Sequence, residues 1–212
     1  MTNTSYAFAF KKEKYMKTEE MIKEILDTFG GFSVNDVPDI DLYMDQVTTL
    51  LNNKFAPFKR TEDDKLLTKT MINNYTKFKL LPAPEKKKYS KDHIIILIMI
   101  YFFKNMISIN DTGTLISPAV DEFFHNEEHP LDSVYGEFVR GIKIMNDDEE
   151  ILRLYKECTK LYNFDEYENS EYLKTLSYIA ILCYQAYVRQ QLVLKLIDGL
   201  PDELNIKKDE NK

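Results

Sequence analysis

Nine residues in the middle of this chain have the types and spacing to meet a polyanion. Lys69, Thr70, Asn73, Asn74 and Lys77 share one face if residues 68–81 are helical, and Met71, Ile72 and Tyr75 fill the other. Tyr75 also counts with them as a candidate contact. Pro82 and Pro84 then frame a turn that ends in Lys86, Lys87 and Lys88. Asparagine amides can pair with the edges of adenine, and lysine ammonium groups neutralise phosphates. Read together, the nine form a candidate DNA-binding set. The three consecutive lysines taken alone would fit a solvated loop equally well.

The charge distribution bears on this. The 212 residues carry a formal net charge of −7. Residues 54–104 nevertheless hold twelve Lys/Arg against five Asp/Glu, a surplus of seven positive charges, so the remainder stands at −14. Screening confines each charge's influence to about 10 Å, so a phosphate responds to the local island and not to the average.

Other chemistry is sparse. His125-Asn126-Glu127-Glu128-His129 fits the His-x-x-Glu-His spacing of inverted zinc proteases, with Asp121 one turn earlier if the segment is helical. Pro130 follows at once and no third ligand is evident, so a surface segment is expected, with no metal and no cofactor. His93, beside Asp92, reads as a surface or turn-packing residue. No Gly-rich phosphate loop occurs, and no Ser or Cys nucleophile has a base near it in sequence. The expectation is a protein that is not an enzyme. Cys158 and Cys183 are too few for a disulfide scaffold and are expected as buried, reduced thiols.

These residues need elements to position them. Six glycines and seven prolines leave few turns, which favours helices over many strands. Helices are expected over residues 18–29, capped by Thr18 and stopped at Gly30-Gly31, and over 42–55. Residues 56–65 read as a loop, and Thr68 caps the next helix. Lys91 joins the lysines of the turn, and Ser90 caps a helix over 91–106. A short helix near 110–116 precedes Pro118, taken as a boundary. Helices at 131–145, 151–162 (capped by Asn146) and 170–198 follow, with Gly199-Leu200-Pro201 as a stop. The ten apolar residues from Ile94 to Phe103 are too few for a bilayer span, which needs about 20, and Tyr101, Phe102 and Phe103 read as core. No membrane association and a cytoplasmic location are expected, since residues 1–15 lack the pattern of a secretory signal. The domain reading is an N-terminal arm and helix (1–37), a central unit (38–117), a C-terminal helical domain (118–200) and a charged tail (201–212).

The helix over 170–198 is apolar on more than one side, so it has more than one face to bury. A second subunit would cover one of them, as would the interior of a monomeric bundle. The tyrosines of the C-terminal half could line a pocket for a small-molecule effector or simply pack.

The central segment resembles the DNA-binding domain of the MerR family of transcription regulators. That family has a capped recognition helix with a Tyr-rich end, then Gly-Leu-Leu-Pro, a wing ending in Tyr-Ser, and a further helix closed by a Gly-Phe-Ser-Leu-like turn. Thr68, Tyr75, Lys77, Leu80, Leu81, Pro82, Tyr89, Ser90, Ile107, Ser108 and Ile109 match in order. Lys79 stands where the family has Gly, Asn73 where it has Arg, and Lys86-Lys87 where its wing has Tyr-Arg. Residues 56–67 lengthen a turn that is tight in the family. Over its whole length, including Asp39-Ile40-Asp41-Leu42-Tyr43-Met44 and Met71-Ile72-Asn73-Asn74-Tyr75-Thr76-Lys77, the chain is similar to a bacterial family of unknown function, domain family 1836. The MerR resemblance implies an all-α fold with a winged helix-turn-helix and small β wing, followed by a helical bundle, while the family of unknown function supplies no activity. The MerR resemblance also implies a transcriptional regulator that binds double-stranded DNA as a homodimer, with a ligand-sensing or dimerising C-terminal part. The alternative is a protein-interaction module that keeps the helix-turn-helix and has lost DNA binding, which the acidic net charge and the missing arginines favour.

Overall fold

Ten apolar residues in succession need a shell around them, and most of the fold is that shell. The computed structural model describes residues 18–29, 33–145, 148–161, 163–167 and 170–201. Among these the elements run α1 (Thr18–Phe29), β1 (Leu42–Tyr43), α2 (Met44–Phe55), α3 (Lys69–Lys77), β2 (Lys88–Tyr89), α4 (Lys91–Lys104), α5 (Ile109–Phe123), α6 (Leu131–Met145), α7 (Asp148–Leu161) and α8 (Ser170–Asp198). Single 3-10 turns lie at Val34–Asp36 and Ala56–Phe58. The fold is mainly helical, as composition indicates. No helix among the described residues is long and apolar enough to cross a membrane.

The apolar helix α4 runs through the core, with His93 to Ile98, Ile100 and Tyr101 all buried. Around it lie Val47, Leu51 and Phe55 of α2, Ile72 and Tyr75 of α3, Leu80, Leu81, Ile116 of α5, and Leu131 and Tyr135 of α6. Each such side chain contributes about 1.5–3 kcal/mol when fully buried. The Tyr101 ring stacks on Phe55 at 3.7 Å, while Phe102 and Phe103 are partly buried against the same cluster.

Three expectations change. The helix expected from residue 42 begins at Met44, because Leu42 and Tyr43 pair antiparallel with Tyr89 and Lys88. Leu42 and Tyr89 are both buried, so the extended pairing places two apolar side chains on the core, and the Gln46 Oε1 accepts from the Tyr43 N–H at 2.8 Å where α2 starts. Pro118 does not end a helix. It lies inside α5, and both α5 and α6 pack on α4, so the central body continues beyond the expected boundary. Cys158 is buried as expected, but Cys183 is exposed.

Residues 56–67 are held by named contacts. The Asn52 amide donates to the Leu67 carbonyl at 2.7 Å and accepts from the Leu67 N–H at 3.1 Å, which pins the end of the segment to α2. Phe58 packs against Phe55, Tyr101 and Phe102. The Asp64 carboxylate accepts from the backbone N–H groups of Arg60 and Thr61.

A second, smaller cluster joins α1 to α7 and α8. Ile22 of α1, Cys158 of α7 and Tyr178 of α8 are buried together. Helix α8 also reaches the central body, where the Gln190 side chain donates to the Met106 carbonyl. Much of its apolar surface stays open, including Tyr184, Tyr187, Leu192 and Leu196. The expected arm at 1–17, the Gly30-Gly31 stop, the Asn146 cap and the tail from 202 lie outside the described residues.

Candidate nucleic-acid interface

Helix α3 starts as its sequence dictates, with the Thr68 Oγ1 accepting from the Met71 N–H at 3.2 Å. Ile72 and Tyr75 face the core, which turns Lys69, Thr70, Asn73, Asn74 and Lys77 outward, and all five are exposed. Tyr75 is a correction. At 7% exposure it is a core residue, and burial pushes its phenol up from the ordinary value. Its part is to hold the helix on the core and, through its carbonyl, to accept from Leu80 and Leu81 at 2.9 and 3.2 Å.

That helix ending requires a left-handed residue. Lys79 takes it, with φ of 58°. Glycine would adopt this backbone freely, whereas a residue with a Cβ pays about 1–2 kcal/mol.

The same departure recurs twice in the lysine turn. The Lys88 N–H donates to the Glu85 carbonyl at 2.8 Å, and Lys86 and Lys87 between them have φ of 49° and 66°. Positive φ at both central residues of such a turn is the type I′ pattern, for which Asn-Gly is the favoured sequence. Here two lysines occupy it, both exposed.

The start of α3 and the stem of this turn are moored to one place. Lys69 forms an ion pair with Asp45 in the first turn of α2. Two residues earlier, the Tyr43 ring lies under the Lys88 ammonium, 5.5 Å from its centre. Tyr43 is 54% exposed, and Phe78, just past α3 and between Lys77 and Lys79 in sequence, is 63% exposed. Sequence reasoning passed over both. The one available signal was a strand-forming residue before α2, which became visible only through its pairing with Lys88.

Lys91, expected with the turn, is held elsewhere. It bridges Asp39 at 2.6 Å and Asp132 at 2.9 Å, and the hydrogen bonds to Asp39 and then to Asp132 raise its pKa. His93 is not on the surface. It is 1% exposed, its ring edge-on to Phe124 at 4.9 Å. Burial pushes its imidazole below the ordinary value and His125 adds to this, against the Ala83 backbone, Asp92 and Asp41. The Ala83 backbone is close enough to favour a charge on the ring, yet His93 Nε2 has no well-formed hydrogen bond. The His125–His129 segment is a turn and not a helix, so its two histidines share no helical face. No group of three or more metal-binding side chains occurs among the described residues.

These features define a class: a mainly helical, acidic protein whose exposed, Asn- and Lys-bearing helix and tight basic turn are both moored to the start of α2. The chain belongs to the family described as a domain of unknown function, DUF1836, whose match covers residues 32–138, just over half of its length. The match takes in β1 to α4, α5 and the first half of α6. No curated protein and no solved structure matches the chain.

Proposed function

We propose that the chain is a DNA-binding transcriptional regulator with a MerR-like winged helix-turn-helix. Helices α2 and α3 are the paired helices, α3 reads the major groove, and the β1–β2 ladder with the Lys86-Lys87 turn is the wing. Asn73 and Asn74 address base edges. Lys69, Lys77, Lys86, Lys87 and Lys88 address phosphates, with Thr70 at the start of the helix.

The observation that carries this reading is the turn. Two adjacent lysines occupy left-handed backbone that Asn-Gly would adopt with less strain. Strained backbone is kept where the side chain it presents has work to do. Long cations at an exposed tip suit a phosphate backbone.

Helix α8, with apolar residues exposed along its length, is the natural surface for a homodimer that would present two α3 helices to two half-sites. The same helix and the aromatic residues near it are the place for an effector. Sedimentation of the full chain tests the dimer.

The second reading is a protein-interaction module on the same scaffold. It is favoured by the acidic body and by Asp45, which already engages Lys69. A gel-shift series on random-sequence duplex at low salt separates the two. Retardation that weakens steeply with salt supports the regulator, and no retardation at micromolar protein leaves the interaction module.

A further inference from the structure

Ser90 joins the basic turn to α4, and groups from two elements converge on it. Its backbone N–H donates to His93 Nδ1 at 3.1 Å. That nitrogen therefore carries the lone pair, and the neutral ring keeps its proton on Nε2. The Ser90 Oγ lies 2.8 Å from the same Nδ1 and 3.0 Å from the His125 Nε2. A hydroxyl has one proton to give. If it goes to His93, the His125 Nε2 must donate, and the relay runs from His125 Nε2–H through Ser90 Oγ–H to His93 Nδ1.

His125 is itself held in place. Its backbone has φ of 55°, its N–H donates to Asp92 Oδ2 at 2.8 Å, and its ring stacks on Phe124 at 4.0 Å. Six residues, Tyr89, Ser90, Asp92, His93, Phe124 and His125, thus fasten two segments that are far apart in sequence.

We propose that this cluster is a proton-operated latch, which ties the stem of the basic turn (residues 88–90) to the turn between α5 and α6 (residues 124–129). The proposal does not rest on DNA binding.

The hydrogen bonds give the direction. Neutral His93 accepts from Ser90. A proton on Nδ1 would face the Ser90 N–H, donor against donor, and the hydroxyl would have to reverse. The ring has little else to turn to. Facing it are Asp92 from its own helix, Asp41 ahead of β1, the Ala83 backbone, the Tyr89 ring edge at 5.5 Å and the His125 ring at 5.9 Å. Asp92 already accepts from the His125 backbone, and a charged His125 would repel a charged His93. His93 therefore takes up its proton by leaving this arrangement, and the two segments part. One proton per opening shifts the open-to-closed ratio about tenfold per pH unit below the midpoint.

The test uses the full chain, isotopically labelled, with histidine-ring and amide NMR spectra followed from mildly alkaline to mildly acidic pH. His93 should appear as the Nε2–H tautomer at the alkaline end. The amides of Lys88, Tyr89, Ser90, Phe124 and His125 should shift together, with one midpoint below the ordinary histidine value. His93→Gln, whose amide oxygen can still accept from the Ser90 N–H, should abolish the shared transition. His125→Asn, at an exposed site whose positive φ Asn tolerates, removes the ring bond to Ser90 Oγ and keeps the backbone bond to Asp92, so the closed arrangement loses one tie and the shared midpoint should move up in pH. A proton on His93 Nδ1 at alkaline pH, separate midpoints for the two segments, or a shared transition surviving in His93→Gln would each overturn the latch. If His93→Gln does not fold, an unmoved midpoint in His125→Asn overturns it instead.

Discussion

Replacing Lys86 with Asn and Lys87 with Gly separates what the basic turn costs from what it does. Both native residues sit at positive φ, 49° and 66°, in a turn closed by the Lys88-to-Glu85 hydrogen bond. Left-handed backbone costs a side chain with a Cβ about 1–2 kcal/mol per residue. Asn tolerates it in part and Gly entirely. Some of the gain is lost to the wider freedom of Gly in the unfolded chain. The double variant should therefore be about 1–2 kcal/mol more stable than the parent. For a chain of this size that raises the midpoint of thermal unfolding by about 3–6 °C.

Binding should move the other way. Each phosphate contact contributes about 0.9 to the slope of log affinity against log salt, which is about tenfold in affinity near 0.1 M salt. Losing two lysines should lower affinity for random duplex by about ten- to a hundredfold and flatten the slope by about two. Calorimetry gives the stability, and fluorescence anisotropy over a salt series gives the affinity. Lys86→Ala with Lys87→Ala is the control, since it removes the charges and keeps the strain. It should bind as weakly as the Asn-Gly variant without the added stability. A destabilised Asn-Gly variant would refute the turn geometry. A stabilised variant with parental affinity and salt slope would refute the role of these lysines.

Four further outcomes follow from single contacts. Lys79→Gly should stabilise by about 1 kcal/mol in chemical denaturation, because Lys79 has φ of 58° at the end of α3. Asn52→Ala should destabilise by about 2–3 kcal/mol in the same assay, since it strands the N–H and C=O of Leu67. Asp45→Asn frees Lys69 and removes a negative charge beside it. It should tighten low-salt duplex binding several-fold in the anisotropy assay while changing stability by less than about 0.5 kcal/mol. Tyr135, which burial and then Asp36 push up to about 12, should stay un-ionised in tyrosinate absorbance until the most alkaline steps. Its unfolded counterpart ionises near 10, so the stability it contributes holds below pH 10 and is lost between 10 and 12.

Local signals in the sequence located the elements well. Thr68 caps α3, and the unbroken apolar run of α4 is the buried centre. Apolar spacing also oriented α3, with Ile72 and Tyr75 inward, although that same spacing should have removed Tyr75 from the contact set. What the sequence hid depends on partners distant along the chain. The β1–β2 ladder is two residues long and joins positions 42–43 to 88–89, so no periodicity announces it. Lys91 looked like one more lysine of the turn until Asp39 and Asp132 met it. His93 breaks no pattern within α4, and only the returning turn at 124–129 explains a buried imidazole.

The acidic body and the basic turn need not be in conflict. Charges farther than about 10 Å from a phosphate are largely screened, so of the −14 carried outside residues 54–104 the acids brought close in space, such as Asp45 beside Lys69 and Asp39 beside Lys91, would act most strongly on a bound duplex. On the proposed function, a body of that sign would keep the chain from coating DNA at random, while a short contact through α3 and the turn would decide where it stays. On the same proposal Asp45 would work in this direction at close range, since a phosphate would have to displace it from its ion pair with Lys69. On this reasoning the Asp45→Asn variant should gain affinity for random duplex and lose discrimination between sequences, because the competition that penalises poor sites would be gone. Equal gains for the preferred and the random duplex would show that Asp45 only weakens binding and takes no part in selecting the site.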